Sequence, residues 1–560
     1  MNALILLGLF ALLLLLWLRL LPRVRLSLAK HRSLEGHPRW ARRLARLIPY
    51  YEYDEQQFFC ADDAPPDVAA RRRAAFGELA ALYATRFAKS AALTIEVSAG
   101  VADLQFTARY RVPFQFSRRV RENLKGGAFL ASSAASTLTD LDGNRFYDLA
   151  GSYGVNLLGY DFYKDCIRTG AARAGNLGPV LGAYHPCVAD NVARLKATSG
   201  LDQVSFHMSG TEAVMQAVRL ARYHTRKRYL VRFCGAYHGW WGDVQPGAGN
   251  PATAHDTYTL RDMSAAALRI LKSRRDIACV LVNPLQALHP NRGAASDGAL
   301  IDSGRSAAFN RAAYSAWLLQ LREVCSERGI VLIFDEVFLG FRLAPGGAQE
   351  YFRVRADLVT YGKTVAGGLP IGVLCGKAAL MRRFDPDRPA DICFARGTFN
   401  AHPYVMTAMN EFLQRLETAP VRALYQDLDA TWNRRAAEVN ERLRLAGVPV
   451  AVANLSSVWT VIYRQPSRYN WMFQYYLRAH GLALSWVGTA RLIFNLAYTE
   501  AEFADVVERF IAAAVEMRDA GWWWSHPGLT DRLIRRRVLT EMLQIRCSWL
   551  IGSMSSPRSR

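Results

Sequence analysis

Apolar residues are arranged in three different patterns along this chain. Ala3 to Leu18 is an uninterrupted run of apolar residues or glycine, and Leu20 and Leu21 carry it past Arg19 to Pro22. A membrane span needs about 20 such residues, about 17 at the least, and a terminal Arg can reach back to the interface. The run therefore predicts one transmembrane helix over 1–21. A cleaved signal peptide and an apolar helix docked on the protein's own core compete with it, but no basic stretch precedes the run and no small-x-small site follows it.

The second pattern occupies the middle of the chain. Short apolar segments, Tyr229 to Phe233, Cys279 to Val282 and Ile330 to Phe334, are separated by helical stretches such as Ala307 to Arg328. This alternation predicts an α/β domain with a mainly parallel sheet, whose strand ends gather a ligand site. From about Asn400 a third pattern begins: a helix over Val405 to Leu416, then mixed helices and strands to Phe510. The division that follows is an anchor at 1–21, a basic and helical lead-in at 22–109, the first part of a small α+β domain at 110–165, a large domain at 166–400, the rest of the small domain at 401–515 and a basic aromatic tail at 516–560. Asp62-Asp-Ala-Pro-Pro-Asp67 reads as a short linker ahead of a helix rich in Arg and Ala.

Charge adds orientation. The 560 residues carry a formal net charge of +22, and Arg19 to Arg46 holds nine Lys or Arg against the single acid Glu35. The positive-inside rule then places the body in the cytoplasm, single-pass in the inner (cytoplasmic) membrane, with the basic flank on lipid headgroups. Nucleic acid as a partner is excluded because the charge flanks the apolar run and no nucleic-acid-binding motif is present. The tail, Gly521-Trp-Trp-Trp524 followed by Leu529 to Ile551 with several arginines, reads either as an interfacial helix or as one packed on the body. Nine scattered cysteines show no metal-like spacing, so no metal site is expected.

Chemistry enters at Tyr361-Gly-Lys363-Thr-Val-Ala-Gly-Gly-Leu-Pro-Ile-Gly372. Lysine is scarce, nine residues against sixty-one arginines, and Lys363 follows Asp335 by 28 positions. A Lys held between glycines, once deprotonated, can form a Schiff base with a carbonyl cofactor. In Val204 to Arg222 the triplet Ser209-Gly210-Thr211 opens a helix, a natural seat for a phosphate or simply an ordinary N-cap. Phe233-Cys-Gly-Ala-Tyr237-His238-Gly239 sets an aromatic ring and an imidazole between glycines after a strand. Tyr237 can stack on a heteroaromatic ring or belong to a core, and His238 reads as a local polar contact rather than a metal ligand.

Together these segments resemble the class III aminotransferases of the fold type I pyridoxal-phosphate enzymes. The stretch from Phe334-Asp-Glu-Val-Phe-Leu-Gly-Phe-Arg342 through Gly346-Gly-Ala-Gln-Glu-Tyr-Phe352 to Gly362-Lys-Thr-Val-Ala-Gly-Gly-Leu-Pro370 is most similar to the glutamate-1-semialdehyde aminomutase branch. Asp140 to Asp148 and Gly397 to Pro403 also fall where that family has recurring motifs, over roughly residues 110 to 515. The resemblance implies a pyridoxal 5'-phosphate cofactor bound by the large domain. Lys363 would be its covalent anchor and the acid/base, and Asp335 would pair with the pyridine nitrogen. Ser209, Gly210 and Thr211 would hold the phosphate, Tyr237 and Val337 would flank the ring, and His238 would belong to the same cofactor site. Thr398 would reach the phosphate of a neighbouring subunit, which implies a homodimer with shared sites.

The departures from the family bear on substrate. Asn283 stands where many relatives carry a carboxylate, and Phe338-Leu339 replaces a frequent polar pair, making that wall more apolar. The carboxylate-binding element near the start of the aminomutases is not recognisable around Val112 to Arg119, and Ala70 to Arg119 is instead similar to the lead-in of aminotransferase domains of polyketide and lipopeptide assembly lines. The reading is a membrane-anchored aminotransferase moving an amino group from an amino-acid donor to an aldehyde or keto acceptor that is lipid-like or carrier-bound. Its alternatives are a 2,1-aminomutase and an inactive membrane scaffold of the same fold.

Overall fold

The computed structural model describes residues 2–245, 247–252, 254–289, 307–485 and 491–554. Seven strands form the large sheet: β1 (Gln203–His207), β2 (Tyr229–Phe233), β3 (Thr257–Leu260), β4 (Ile277–Val282), β5 (Val331–Asp335), β6 (Leu358–Gly362) and β7 (Gly372–Gly376). Their spatial order is β1-β7-β6-β5-β4-β2-β3. From β3 to β6 every neighbouring pair is parallel, while β7 is antiparallel to both β6 and β1. Every residue of β4, β5, β6 and β7 is buried. That is why these strands read as continuous apolar runs: helices cover both faces of the sheet, so alternation is lost.

Two smaller sheets lie beside it. Leu130–Ala134, Thr137–Asp140 and Arg145–Asp148 form an antiparallel meander completed by Leu482–Ala483, so chain from before and after the large sheet meets in one layer. Val450–Leu455, Val458–Tyr463 and Arg491–Ile493 form the other. The helix expected over Val405 to Leu416 runs from Pro403 to Arg415.

The N-terminal expectation is corrected. Residues Asn2–Ala29 form one 28-residue helix containing Pro22, but among the described residues no helix is long and apolar enough to cross a membrane. Its last turn belongs to the folded body: Ala29 is fully buried, the Arg261 N–H donates to the Ala29 carbonyl at 3.0 Å, and Lys30 bridges Leu260 at the sheet edge. The outer part is apolar and exposed at Ile5, Leu7, Leu9, Phe10 and Trp17.

Two further corrections concern the ends of the chain. Asp62, read as part of a linker, is fully buried and receives two hydrogen bonds from the equally buried Arg72, each 2.9 Å long. Arg72 sits in the helix Pro66–Arg86 and also donates to the carbonyls of Phe59 and Gly521, with its guanidinium 4.4 Å from the Tyr469 ring centroid. The other concerns one of the two readings of the tail: Trp522 and Trp523 are buried rather than interfacial, in keeping with the alternative packed on the body, and their ring N–H groups donate to Tyr476 Oη and Asn470 Oδ1. The terminal helix Asp531–Met554 follows. Glu541 in it accepts hydrogen bonds from Tyr51 and Tyr53 and pairs with Arg468 at 2.8 Å, which fastens the tail to the body.

Removing one member of a buried ion pair strands the other. Arg72→Met is expected to cost about 3–5 kcal/mol of stability in urea unfolding, and adding Asp62→Leu recovers part of that loss. An Arg72→Met protein as stable as the parent would show that the pair is not dry.

Candidate active site

The site grows from the carboxyl ends of β5 and β6. Parallel pairing sets Asp335 opposite Thr360, so the end of β5 lies beside the strand that leads through Gly362 into Lys363. Lys363 opens a tight turn over Lys363–Ala366 and has φ 49°. A non-glycine residue in this left-handed region costs about 1–3 kcal/mol and is found where the surroundings over-determine it. Burial holds the Lys363 ammonium below the usual lysine range; Asp335 opposes this, and Arg491 and Arg342 add to it. The amine thus loses its proton more readily than a surface lysine. Its Nζ lies 6.0 Å from the centroid of the Phe338 ring.

Asp335 is a buried carboxylate with three partners. Oδ2 meets His238 Nδ1 at 2.7 Å, and Oδ1 accepts from the Val337 N–H at 3.1 Å and the Thr360 hydroxyl at 3.3 Å. His238 is itself buried, and burial lowers its pKa against the opposing pull of Asp335. The imidazole Nε2 has no hydrogen-bond partner among the described residues. Next in the chain, Glu336 is fully buried, accepts from the Ala348 and Gln349 N–H groups at 2.6 and 3.2 Å, and is pushed up to about 8 by burial. It fixes the backbone that follows Asp335.

The seat expected for a phosphate is the start of the helix Gly210–Thr225. Ser209 caps it, its hydroxyl accepting from the Glu212 N–H at 3.3 Å, while the Glu212 carboxylate accepts from the Met208 N–H at 3.0 Å. Two glycines keep this seat open to close approach. A Cβ on Gly210 would lie 2.6 Å from Val337 Cγ1, and one on Gly239, which has φ 86°, would lie 2.4 Å from Thr211 Oγ1.

One cavity of about 940 Å³ is lined by Ser209, Gly210, Thr211, Tyr237, His238, Asp335, Val337 and Lys363. The structure thus brings eight of the nine expected residues together. The ninth, Thr398, lies on an exposed loop and is not among the lining residues. Of the pair expected to form an apolar wall, Phe338 lines the cavity, whereas Leu339 is buried in the core. Asn283 caps a short helical turn and reaches the Tyr237 carbonyl at 3.4 Å. Arg491, also in the lining, was not legible: it follows no motif, and only the pairing of Arg491–Ile493 with Val458–Tyr463 delivers it here. These groups fit pyridoxal phosphate. A helix start takes an anion, a buried carboxylate takes a protonated ring nitrogen, and a buried amine takes a carbonyl.

Comparison with known proteins agrees with this geometry. Residues 121–514 match the family described as "Aminotransferase class-III". A glutamate-1-semialdehyde 2,1-aminomutase from Alkaliphilus oremlandii is 31% identical over 364 residues, 61% of this chain and 78% of that protein. Another from Geotalea daltonii is 30% identical over 392 residues, 66% of this chain and 85% of that protein. The crystal structure of an omega-transaminase from Sphaerobacter thermophilus superimposes with a TM-score of 0.59 at 25% identity, covering 75% of this chain and 98% of that one.

Because burial lowers the pKa of Lys363 while Asp335 raises it, acetylation of Lys363 in the cofactor-free protein by acetic anhydride, which leaves as acetate, followed by mass spectrometry, is expected to have its pH midpoint below that of surface lysines. Asp335→Asn removes the stabilising charge and moves the midpoint lower still. A midpoint that rises in this variant would contradict the arrangement.

Proposed function

Since the chain belongs to the class III aminotransferases and is therefore a pyridoxal-phosphate-dependent enzyme, we propose that it transfers an amino group from an amino-acid donor to an aldehyde or keto acceptor of apolar character. The observation that carries this is the meeting of Lys363, Asp335 and the start of the Gly210–Thr225 helix in one cavity. The cofactor supplies an electron sink for the carbon that loses its proton. The chain supplies the rest. The Lys363 amine takes that proton and returns it, helped by a lowered pKa. Asp335, held by His238, keeps a proton on the ring nitrogen. Ser209, Gly210 and Thr211 hold the phosphate, Tyr237 and Val337 flank the ring, and the Arg491 guanidinium meets the carboxylate of the donor.

The acceptor preference is supported by Leu285, Phe338, Leu369, Ile371 and Ile493 in the lining. A homodimer is supported by exposed Phe394 and Phe399 on either side of Thr398, which in this reading reaches the phosphate of the second subunit. Attachment to a membrane surface without a span is supported by the exposed apolar residues of the Asn2–Ala29 helix and the basic stretch behind it. Fractionation of the full chain against one lacking residues 2–29 tests this, and recovery of both in the soluble fraction would refute it.

A second reading, a 2,1-aminomutase that moves the amino group within one molecule, is favoured by the names of the relatives. It requires turnover without an external donor. The deciding experiment is the visible absorbance of the purified protein beside Lys363→Ala, with a panel of amino acids. The transaminase reading expects a cofactor band that is altered in the variant and bleaches with one donor, and no turnover of acceptor alone. Retention of no cofactor would overturn both readings. Aldehydes of increasing chain length are expected to gain about fourfold in kcat/KM per buried methylene until the cavity is filled, and a flat series would rule out the lipid-like acceptor.

A further inference from the structure

The residues from Ala29 to Gly36 lie outside the matched stretch 121–514, yet they reach the cofactor loop. After the Lys30–Leu260 bridge the backbone turns back on itself: a Cβ on Gly36 would stand 2.2 Å from the His31 carbonyl oxygen. This fold-back sets Glu35 against the loop that follows β2. One carboxylate oxygen, Oε2, accepts from both the Cys234 thiol and the Gly235 N–H, each at 2.9 Å. The Ser33 hydroxyl lies 3.6 Å from the same sulfur. Cys234 is buried, and burial together with the Glu35 charge holds its thiol well above the usual range, so it stays protonated and able to donate.

The loop so gripped carries Tyr237 and His238. Gly235 and Gly239 bracket them with φ 84° and 86°, backbone angles that favour glycine and make two natural pivots. Between the pivots His238 has its own carboxylate tether, Asp335 at 2.7 Å, whereas Tyr237 has only a long one, Asn283 Nδ2 to its carbonyl at 3.4 Å; Arg232 reaches the Ala236 carbonyl at 3.3 Å, and Gln286 Nε2 donates to the Cys234 carbonyl ahead of the first pivot. Hydrogen bonds to a carboxylate are shorter and about twice as strong as neutral ones. Tyr237 is 57% exposed, so its ring has little packing of its own to hold it at the cavity mouth.

We propose that Glu35 is a positioning residue for the cofactor site: by clamping Cys234 and Gly235 it sets where the Tyr237 ring stands, and it links the basic lead-in of the chain to cofactor retention. The proposal rests on the pyridoxal-phosphate reading above for its second half only. Glu35 touches neither cofactor nor substrate and acts through the loop.

The test compares the full chain with Glu35→Ala, Glu35→Gln and Cys234→Ala. Backbone amide exchange is followed in the cofactor-free protein over residues 233–240, and pyridoxal phosphate binding is titrated by absorbance. Glu35→Ala is expected to speed exchange in this loop by about tenfold and to weaken cofactor binding by about the same factor, leaving exchange in β5 and β6 unchanged. Glu35→Gln, with one acceptor oxygen and no charge, falls between it and the parent, as does Cys234→Ala, which keeps the Gly235 contact. Loop exchange and affinity equal to the parent in Glu35→Ala would overturn the proposal, as would an increase spread evenly over the sheet. Cofactor uptake by the parent tests the functional reading, and loop exchange tests the clamp without cofactor, so the two fail separately.

Discussion

A carboxylate at the end of a fully buried strand must be held by its neighbours, and the design of this protein follows from how Asp335 is held. Burying an unpaired charge costs several kcal/mol. Here His238, the Val337 N–H and the Thr360 hydroxyl converge on it. Each comes from a different place: the loop after β2, the turn after β5, and the middle of β6. Satisfying this one group therefore ties two of the loops that make the cavity to the strand that leads into Lys363. It also puts a negative charge near Lys363, whose amine is pulled between burial and that charge. The strained backbone at Lys363 persists because the parallel pairing of β5 with β6 leaves no freedom upstream of it.

Much of this was legible in the sequence because its signals are local. Lys363 stands among glycines, Ser209-Gly210-Thr211 opens an amphipathic helix, and Asp335 ends an apolar run; each can be read within a dozen residues. Where the determining contact is far away, the reading failed. Asp62 looks like linker because its partner and the residues that cover it, Arg72, Tyr469 and Trp522, are spread over the whole chain. Trp522 and Trp523 leave two readings open, interfacial or packed, because nothing beside them shows that Tyr476 and Asn470 will accept their N–H groups. Leu339 looks like cavity wall because alternation along a turn does not say which side faces the ligand. Arg491 follows no motif at all.

The apolar run at the start illustrates the same limit from the other side. Composition alone favours an independent span, but the last turn of the Asn2–Ala29 helix is buried against the sheet edge at Leu260 and Arg261. The helix is therefore continuous with the catalytic body. Ile5, Leu7 and Phe10 are thus joined to β3 by helix rather than by irregular chain.

The Arg72 cluster sets a condition on the order of events during synthesis. Its ion pair joins residues 62 and 72, but the guanidinium also donates to the carbonyl of Gly521 and lies 5.9 Å from the Trp522 ring. Gly521 follows Arg72 by 449 positions, so a ribosome makes the groups that wall off this charge long after the ion pair itself. Until then the lead-in helix Pro66–Arg86 stays wet, along with the aromatic residues Phe58 and Phe59 beneath it. The nascent protein thus carries an unfinished apolar face until Gly521 and Trp522 have been made and can fold back on it.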